Sequence, residues 1–241
     1  LFIINDVGAV VPIIPILQSI KKEKRENNQK SFKSIFYFPV DCAGFYEIFK
    51  GLEFFDVLAT FTEYGRAEVL KVLPQLKTKL RVVPHGTNTK DFYKVEDEAL
   101  VSEYRKTFFD DNAEKFIILN MNRNQPRKDI PSTIFAFKEA KENWVDGLPE
   151  PFLYLHMRAA DPMGWDLRAI FWQLDLIEGK DYMLLPYKWE QKLPDVADLN
   201  MIYNASDLFL TTTLAEGWGL TVTEAMSCRK PVICPNNTSL S

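Results

Sequence analysis

Residues 207–226 read DLFLTTTLAEGWGLTVTEAM. DLFL has the short, apolar pattern of a buried strand, a loop with a Gly-Trp-Gly turn follows, and a helical pattern begins near Thr221. Strand, loop and helix in that order form the repeating unit of a parallel α/β sheet. In open sheets of this kind, ligands bind beyond the C-terminal ends of the strands, where such loops lie. The glycines Gly217 and Gly219 let the backbone around Trp218 come close to a ligand. The helix beginning near Thr221 offers unpaired N–H groups and partial positive charge, which suit a phosphate.

Two carboxylates flank this turn, Glu216 in the loop and Glu224 in the helix. Glu224 has two readings. Thr221 and Glu224 have the spacing of a capping box, with Thr221 as N-cap and Glu224 three residues on. Alternatively, Glu224 accepts hydrogen bonds from a vicinal diol such as a ribose, each worth about 1.5–3 kcal/mol when charge-assisted. Glu216 has no such local structural reason.

Outward from this stretch, short apolar runs alternate with longer amphipathic ones. FII (2–4), SIFYF (34–38), DVLATF (56–61), LRVV (80–83), KFIILN (115–120), FLYLHM (152–157), YMLL (182–185), DLFL (207–210) and PVIC (231–234) are the expected strands. They are apolar throughout, as strands covered on both faces are. STIFAFKEAKE (132–142) and LNMIYNA (199–205) have helical spacing. KKEKRENNQK (21–30) reads as a solvated helix end and loop. The turn-rich stretch at 82–98 marks a boundary near residue 90, dividing a first part, 1–90, from a second, 91–241.

The strand–loop–helix pattern recurs at ILNMNRNQPRKDIPSTIFAF, residues 118–137. Its loop carries Arg123, Arg127 and Lys128, with Asp129 or Ser132 placed to cap the helix. Cations at the mouth of a sheet neutralise a diphosphate, Arg by forked contacts and Lys as a point charge; a solvated basic loop is the competing reading.

The chain has 241 residues and a net charge of −4, with 46 % apolar and 26 % charged residues, an ordinary soluble composition that gives no reason to expect nucleic acid as a partner. Cys42, Cys228 and Cys234 have no metal-ligand spacing and read as free thiols of a reducing, cytoplasmic compartment. The longest apolar stretch, Val7 to Leu17, is too short to span a bilayer and holds two prolines. The sequons at Asn204, Asn236 and Asn237 matter only in a secreted protein. Leu1 runs straight into a strand pattern, so an N-terminal part is expected to precede it. His156 lies in a strand run and reads as a core or edge residue, and His85 lies near the boundary. The chain contains neither a G-x-S-x-G elbow nor a G-x-x-x-x-G-K-[ST] loop.

Taken together, FFDVLATFTEYGRAEVL (54–70), LRVVPHGTNTKDF (80–92), MNRNQPRKDIPSTIFAF (121–137) and LNMIYNASDLFLTTTLAEGWGLTVTEAMSCRKPVIC (199–234) resemble, in order, segments of the retaining glycosyltransferases of family 4. The resemblance implies a GT-B fold, two Rossmann-like domains facing across a cleft, with the first incomplete and a further segment beyond Ser241. It implies that Arg123 and Lys128 bind the donor diphosphate and stabilise the leaving nucleotide. Glu224 would hold the ribose and Glu216 would contact the donor sugar, while backbone N–H groups around Gly217, Trp218, Gly219, Leu220 and Thr221 bind phosphate or sugar. It further implies a UDP- or GDP-sugar donor, no metal or other cofactor, and a glycan, lipid or glycoprotein acceptor, leaving room for peripheral membrane contact. A nucleotide-sugar epimerase or hydrolase of the same fold, or a non-catalytic nucleotide-sugar-binding module, are the alternatives.

Overall fold

The structure, a computed structural model, describes residues 1–44, 46–187, 189 and 194–241. Its contacts divide the chain into two compact units. The first comprises residues 1–85, 215–219 and 236–241, and the second residues 86–214 and 220–235. Residues 215–219 and 236–241 thus pack with the first unit, where a division by chain order at residue 90 assigns them to the second.

The first unit is built on a parallel sheet in chain order: β1 (Phe2–Ile4), β2 (Ile35–Phe38), β3 (Val57–Thr60) and β4 (Leu80–Val82). Its helices are α1 (Val7–Val10), α2 (Ile14–Glu26) and α3 (Glu63–Val72). The sequence VGAVVPIIPIL therefore becomes helical turns, its prolines falling in first turns where their missing N–H leaves no gap. Phe36, Phe38, Leu58 and Leu80 point to one face and form a core with Val7, Val10, Ile14, Val69 and Leu73. The other face is covered only in part, with Ala59 buried and Tyr37 half-buried. Phe2, Ile35 and Val57 are register partners across three strands and are 59 %, 39 % and 39 % exposed. The expectation that every strand is covered on both faces fails for this sheet. Strands laid down in chain order through same-handed crossovers gather their helices on one face.

In the second unit β5 (Phe116–Asn120), β6 (Pro151–Leu155), β7 (Tyr182–Leu184), β8 (Leu208–Leu210) and β9 (Val232–Ile233) form a parallel sheet in the order β7-β6-β5-β8-β9. Here the two-sided burial holds, for every residue of β6 is buried. The helices are α4 (Glu98–Phe109), α5 (Ile130–Glu142), α6 (Leu167–Gln173), α7 (Val196–Ala205) and α8 (Leu220–Ser227). A core of Ile130, Ile134, Phe137, Leu153, Leu155 and Phe171 joins α5 and α6 to the sheet. Arg105 of α4 ties the sheet's lower edge together. It forks onto Asp207 at 3.0 and 2.8 Å and donates to the carbonyls of Ala113 at 2.6 Å, Ala205 at 3.2 Å and Lys115.

The chain proceeds outward from β5 through β6 to β7, then returns to the other side of β5 for β8 and β9. β5 and β8 are therefore the neighbours at which the winding reverses, the place where open α/β sheets bind ligands. Asn120, Leu155 and Leu184 are register partners at the ends of β5, β6 and β7, so the loops that follow leave the sheet at one level. Among the described residues no helix is long and apolar enough to cross a membrane.

Candidate donor-nucleotide site

The loops after β5 and β8 are bonded to each other. Leu214 N–H and Thr213 Oγ1 both donate to the Arg127 carbonyl, at 2.8 and 3.2 Å, and Thr212 Oγ1 donates to the Asp129 carbonyl at 2.7 Å. Asn122 Nδ2 reaches Thr211 Oγ1 at 3.3 Å. Threonines are well suited here, since the Thr212 and Thr213 hydroxyls bond to loop carbonyls that no ladder reaches. The basic loop is thereby fixed to the strand end rather than left as a solvated arm.

Over these loops lies a hollow of about 780 Å³, lined by Asn122, Arg123, Arg127, Lys128, His156, Arg158, Asp161 and Thr221 among others. Of the residues expected at a donor site, Arg123, Lys128 and Thr221 share this hollow. Lys128 ends a 3-10 turn, Pro126–Lys128, and is only 8 % exposed. Among the described residues no group of three or more His, Cys, Asp or Glu side chains is placed to hold a metal ion.

Neither proposed helix cap has the expected form. Gly219 adopts φ +88°, a conformation L side chains resist, and α8 begins directly after it at Leu220. Thr221 therefore lies inside the first turn, and the Glu224 carboxylate faces elsewhere: Oε2 accepts the Tyr203 hydroxyl at 2.8 Å. Burial raises the Glu224 pKa, and the Tyr203 bond opposes that rise. The capping-box reading of Glu224 is thus replaced by a long-range bond to α7. At α5, Asp129 stands in the left-handed region at φ 45°, and its carboxylate accepts Ser132 Oγ at 2.7 Å instead of a backbone N–H.

Glu216 to Gly219 pack within the first unit. Glu216 is 9 % exposed, and its N–H donates to Thr238 Oγ1 at 3.2 Å. Gly217 lies against Pro39 and Asp41. The Trp218 ring sits 6.4 Å from His85, which stacks on Phe61 at 4.7 Å.

Two residues that the sequence did not assign to the site, His156 and Asp161, also line the hollow. His156 is a wall residue just past β6, not a core residue of the strand. Its Nδ1 lies 2.7 Å from the Tyr154 hydroxyl, and burial pushes its pKa down to about 4, so the ring is neutral at pH 7. Asp161 accepts Arg123 Nε–H at 2.9 Å, and that bond, with one from Met163 N–H, holds its carboxyl below the usual range. The available signal was position: HMRAADP follows a strand, and polar residues just beyond a parallel strand line the ligand edge.

Residues 188–241 match the family profile described as Glycosyl transferases group 1. A probable sucrose-phosphate synthase of Thermosipho melanesiensis is 27 % identical over 179 residues, 73 % of this chain and 36 % of the relative. A trehalose synthase of Thermococcus litoralis is 36 % identical over 139 residues, 55 % of this chain and 31 % of the relative. The chain thus spans about a third of the length of these relatives. Among solved structures, HepE of Anabaena in complex with UDP superposes with a TM-score of 0.69 at 16 % identity, over 97 % of this chain and 64 % of that one. The chain has the GT-B fold of parallel α/β sheets and carries at residues 188–241 a segment matching glycosyl transferases group 1.

Proposed function

We propose that this chain supplies the nucleotide-sugar-binding part of a retaining glycosyltransferase, which moves a sugar from a UDP- or GDP-sugar to a hydroxyl of a glycan, lipid or protein-linked acceptor. The supporting observation is the hollow at the β5/β8 reversal, where Arg123 and Lys128 converge with Thr221 at the start of α8. Two cations and a helix N-terminus form a receptor for a diphosphate without a metal ion. HepE, described in complex with UDP, shares the fold and supports a uridine nucleotide as one donor.

The proposed roles follow from the chemistry. When the bond between the anomeric carbon and the diphosphate oxygen breaks, its electron pair goes to the diphosphate. Arg123 and Lys128 stabilise that growing charge, a contribution of the kind whose loss lowers turnover about 10²–10³-fold. Glu224 holds the ribose, its Oε2 kept in place by Tyr203. Glu216 and the backbone from Gly217 to Thr221 are assigned to the donor sugar and phosphate on the strength of the resemblance. The acceptor hydroxyl attacks from the face the diphosphate leaves, and its proton passes to a departing phosphate oxygen, so configuration is retained.

The test is incubation of the whole protein with radiolabelled UDP-glucose or GDP-mannose and a panel of sugar and sugar-phosphate acceptors. The anomeric proton of the product is then read by NMR. A product with the donor's anomeric configuration supports the proposal. An inverted product, an epimerised nucleotide sugar, or free sugar alone overturns it.

A further inference from the structure

The loop after β6 holds an acid that the donor-site roles leave unused. The Asp161 side chain is 10 % exposed, whereas Arg123, on the loop after β5, is 63 % exposed. Asp161 Oδ2 accepts Arg123 Nε–H at 2.9 Å, and Oδ1 accepts Met163 N–H at 3.0 Å. Asn124, 1 % exposed, locks the two loops together: Nδ2 donates to the Trp165 carbonyl at 2.7 Å, and Oδ1 accepts Trp165 N–H at 3.0 Å. The loops approach so closely that a Cβ on Gly164 would lie 2.3 Å from the Asn124 carbonyl oxygen. Asp161 is therefore a fixed anion, not a mobile surface acid.

A guanidinium gripped at Nε keeps its two terminal amines, the pair that forks onto a phosphate. In Arg123 neither terminal amine bonds to a described residue. We propose that Asp161 is a positioning residue that aims the Arg123 fork into the hollow, where the diphosphate sits. This inference rests on the donor-site reading. It explains why a side chain so exposed has one defined direction, and why an acid stands in a pocket meant for an anion: its charge is spent on Nε. Orienting groups behind a ligand-binding side chain work in this way.

Removing the carboxylate has two opposed effects, loosening Arg123 and relieving repulsion of the phosphates, so the test is a double-mutant cycle. Calorimetry uses the tightest binder among UDP, GDP and ADP, with its free nucleoside as control. Asp161→Asn, which keeps an acceptor for Met163 N–H, should weaken the diphosphate at least threefold when Arg123 is present. With Arg123→Ala it should have no effect or tighten binding, and nucleoside affinity should not change in either background. Should Asp161→Asn fail to fold by thermal melting, Asp161→Ser gives the same readout. Unchanged or tighter binding by Asp161→Asn with Arg123 present, or equal losses in both backgrounds, overturns the positioning role. Absence of diphosphate binding by the unaltered chain, or full affinity in Arg123→Ala, instead overturns the donor-site reading and with it this inference.

Discussion

Replacing Glu224 with glutamine keeps the side chain's shape and removes its charge. The ionised carboxylate is disfavoured where it stands, because burial raises its pKa above the ordinary 4.5 despite the bond from Tyr203. The sign follows directly. The folded chain holds this proton more tightly than the unfolded chain, so the associated stability is present below pH 4.5 and lost as pH rises through the raised value. Glutamine has no charge to desolvate. Glu224→Gln should therefore melt at or above the wild-type temperature at pH 7, with the gap closing toward pH 4.5. Nucleotide binding should move the other way. A charge-assisted bond to a ribose hydroxyl is worth about 1.5–3 kcal/mol and a neutral one about 0.5–1.5 kcal/mol, so the exchange removes about 1–1.5 kcal/mol. That is about a five- to twelvefold loss in affinity, by the rule of about 1.4 kcal/mol per decade. Calorimetry with UDP and with its 2′,3′-dideoxy analogue isolates the effect, since the analogue has no diol to lose. Refutation would be full UDP affinity in the variant, equal losses for both ligands, or a lower melting temperature at pH 7.

Other substitutions test the remaining parts. Lys128→Ala should weaken nucleoside diphosphate binding by about 1.5–3 kcal/mol in calorimetry while leaving free nucleoside unaffected. His156, whose folded pKa of about 4 lies below the ordinary 6.5, holds stability above pH 6.5 that is lost as pH falls through about 4; His156→Phe should flatten urea-melt stability across that window. Arg105→Met should destabilise the chain by about 3 kcal/mol in urea melts, since it strands Asp207 and three backbone carbonyls. Transfer by the whole protein should persist in excess chelator, and its full loss with recovery on adding manganese or magnesium would defeat the metal-free assignment.

Much of the fold was written in local pattern. All nine expected strands form within a residue or two of their apolar runs, because a short unbroken apolar run between turn residues suits a strand of a parallel sheet. The helix expected at 132–142 begins earlier, at Ile130, since Pro131 fits a first turn. Strand order was not legible, for a β5–β8 neighbourhood depends on long-range packing rather than on period. The partly covered face of the first sheet escaped notice for the same reason: Ile35 and Val57 look like buried strand residues in sequence. At the site, residue types suggested a chemistry, but partners did not announce themselves. Glu224 and Thr221 have capping-box spacing, yet the carboxylate finds Tyr203, 21 residues back. Arg123 reads as a free cation in a loop, and its partner Asp161 lies 38 residues on.

Binding of a nucleoside diphosphate to the hollow beyond β5 and β8 underlies every role assigned here, and calorimetry of the chain with UDP, GDP and ADP measures it directly. Two basic side chains and a helix N-terminus around a diphosphate should give micromolar affinity for at least one of them, about −8 kcal/mol. Arg123→Ala and Lys128→Ala should each reduce it. Absence of heat with all three at millimolar concentration, or affinity that both substitutions leave unchanged, would contradict the account.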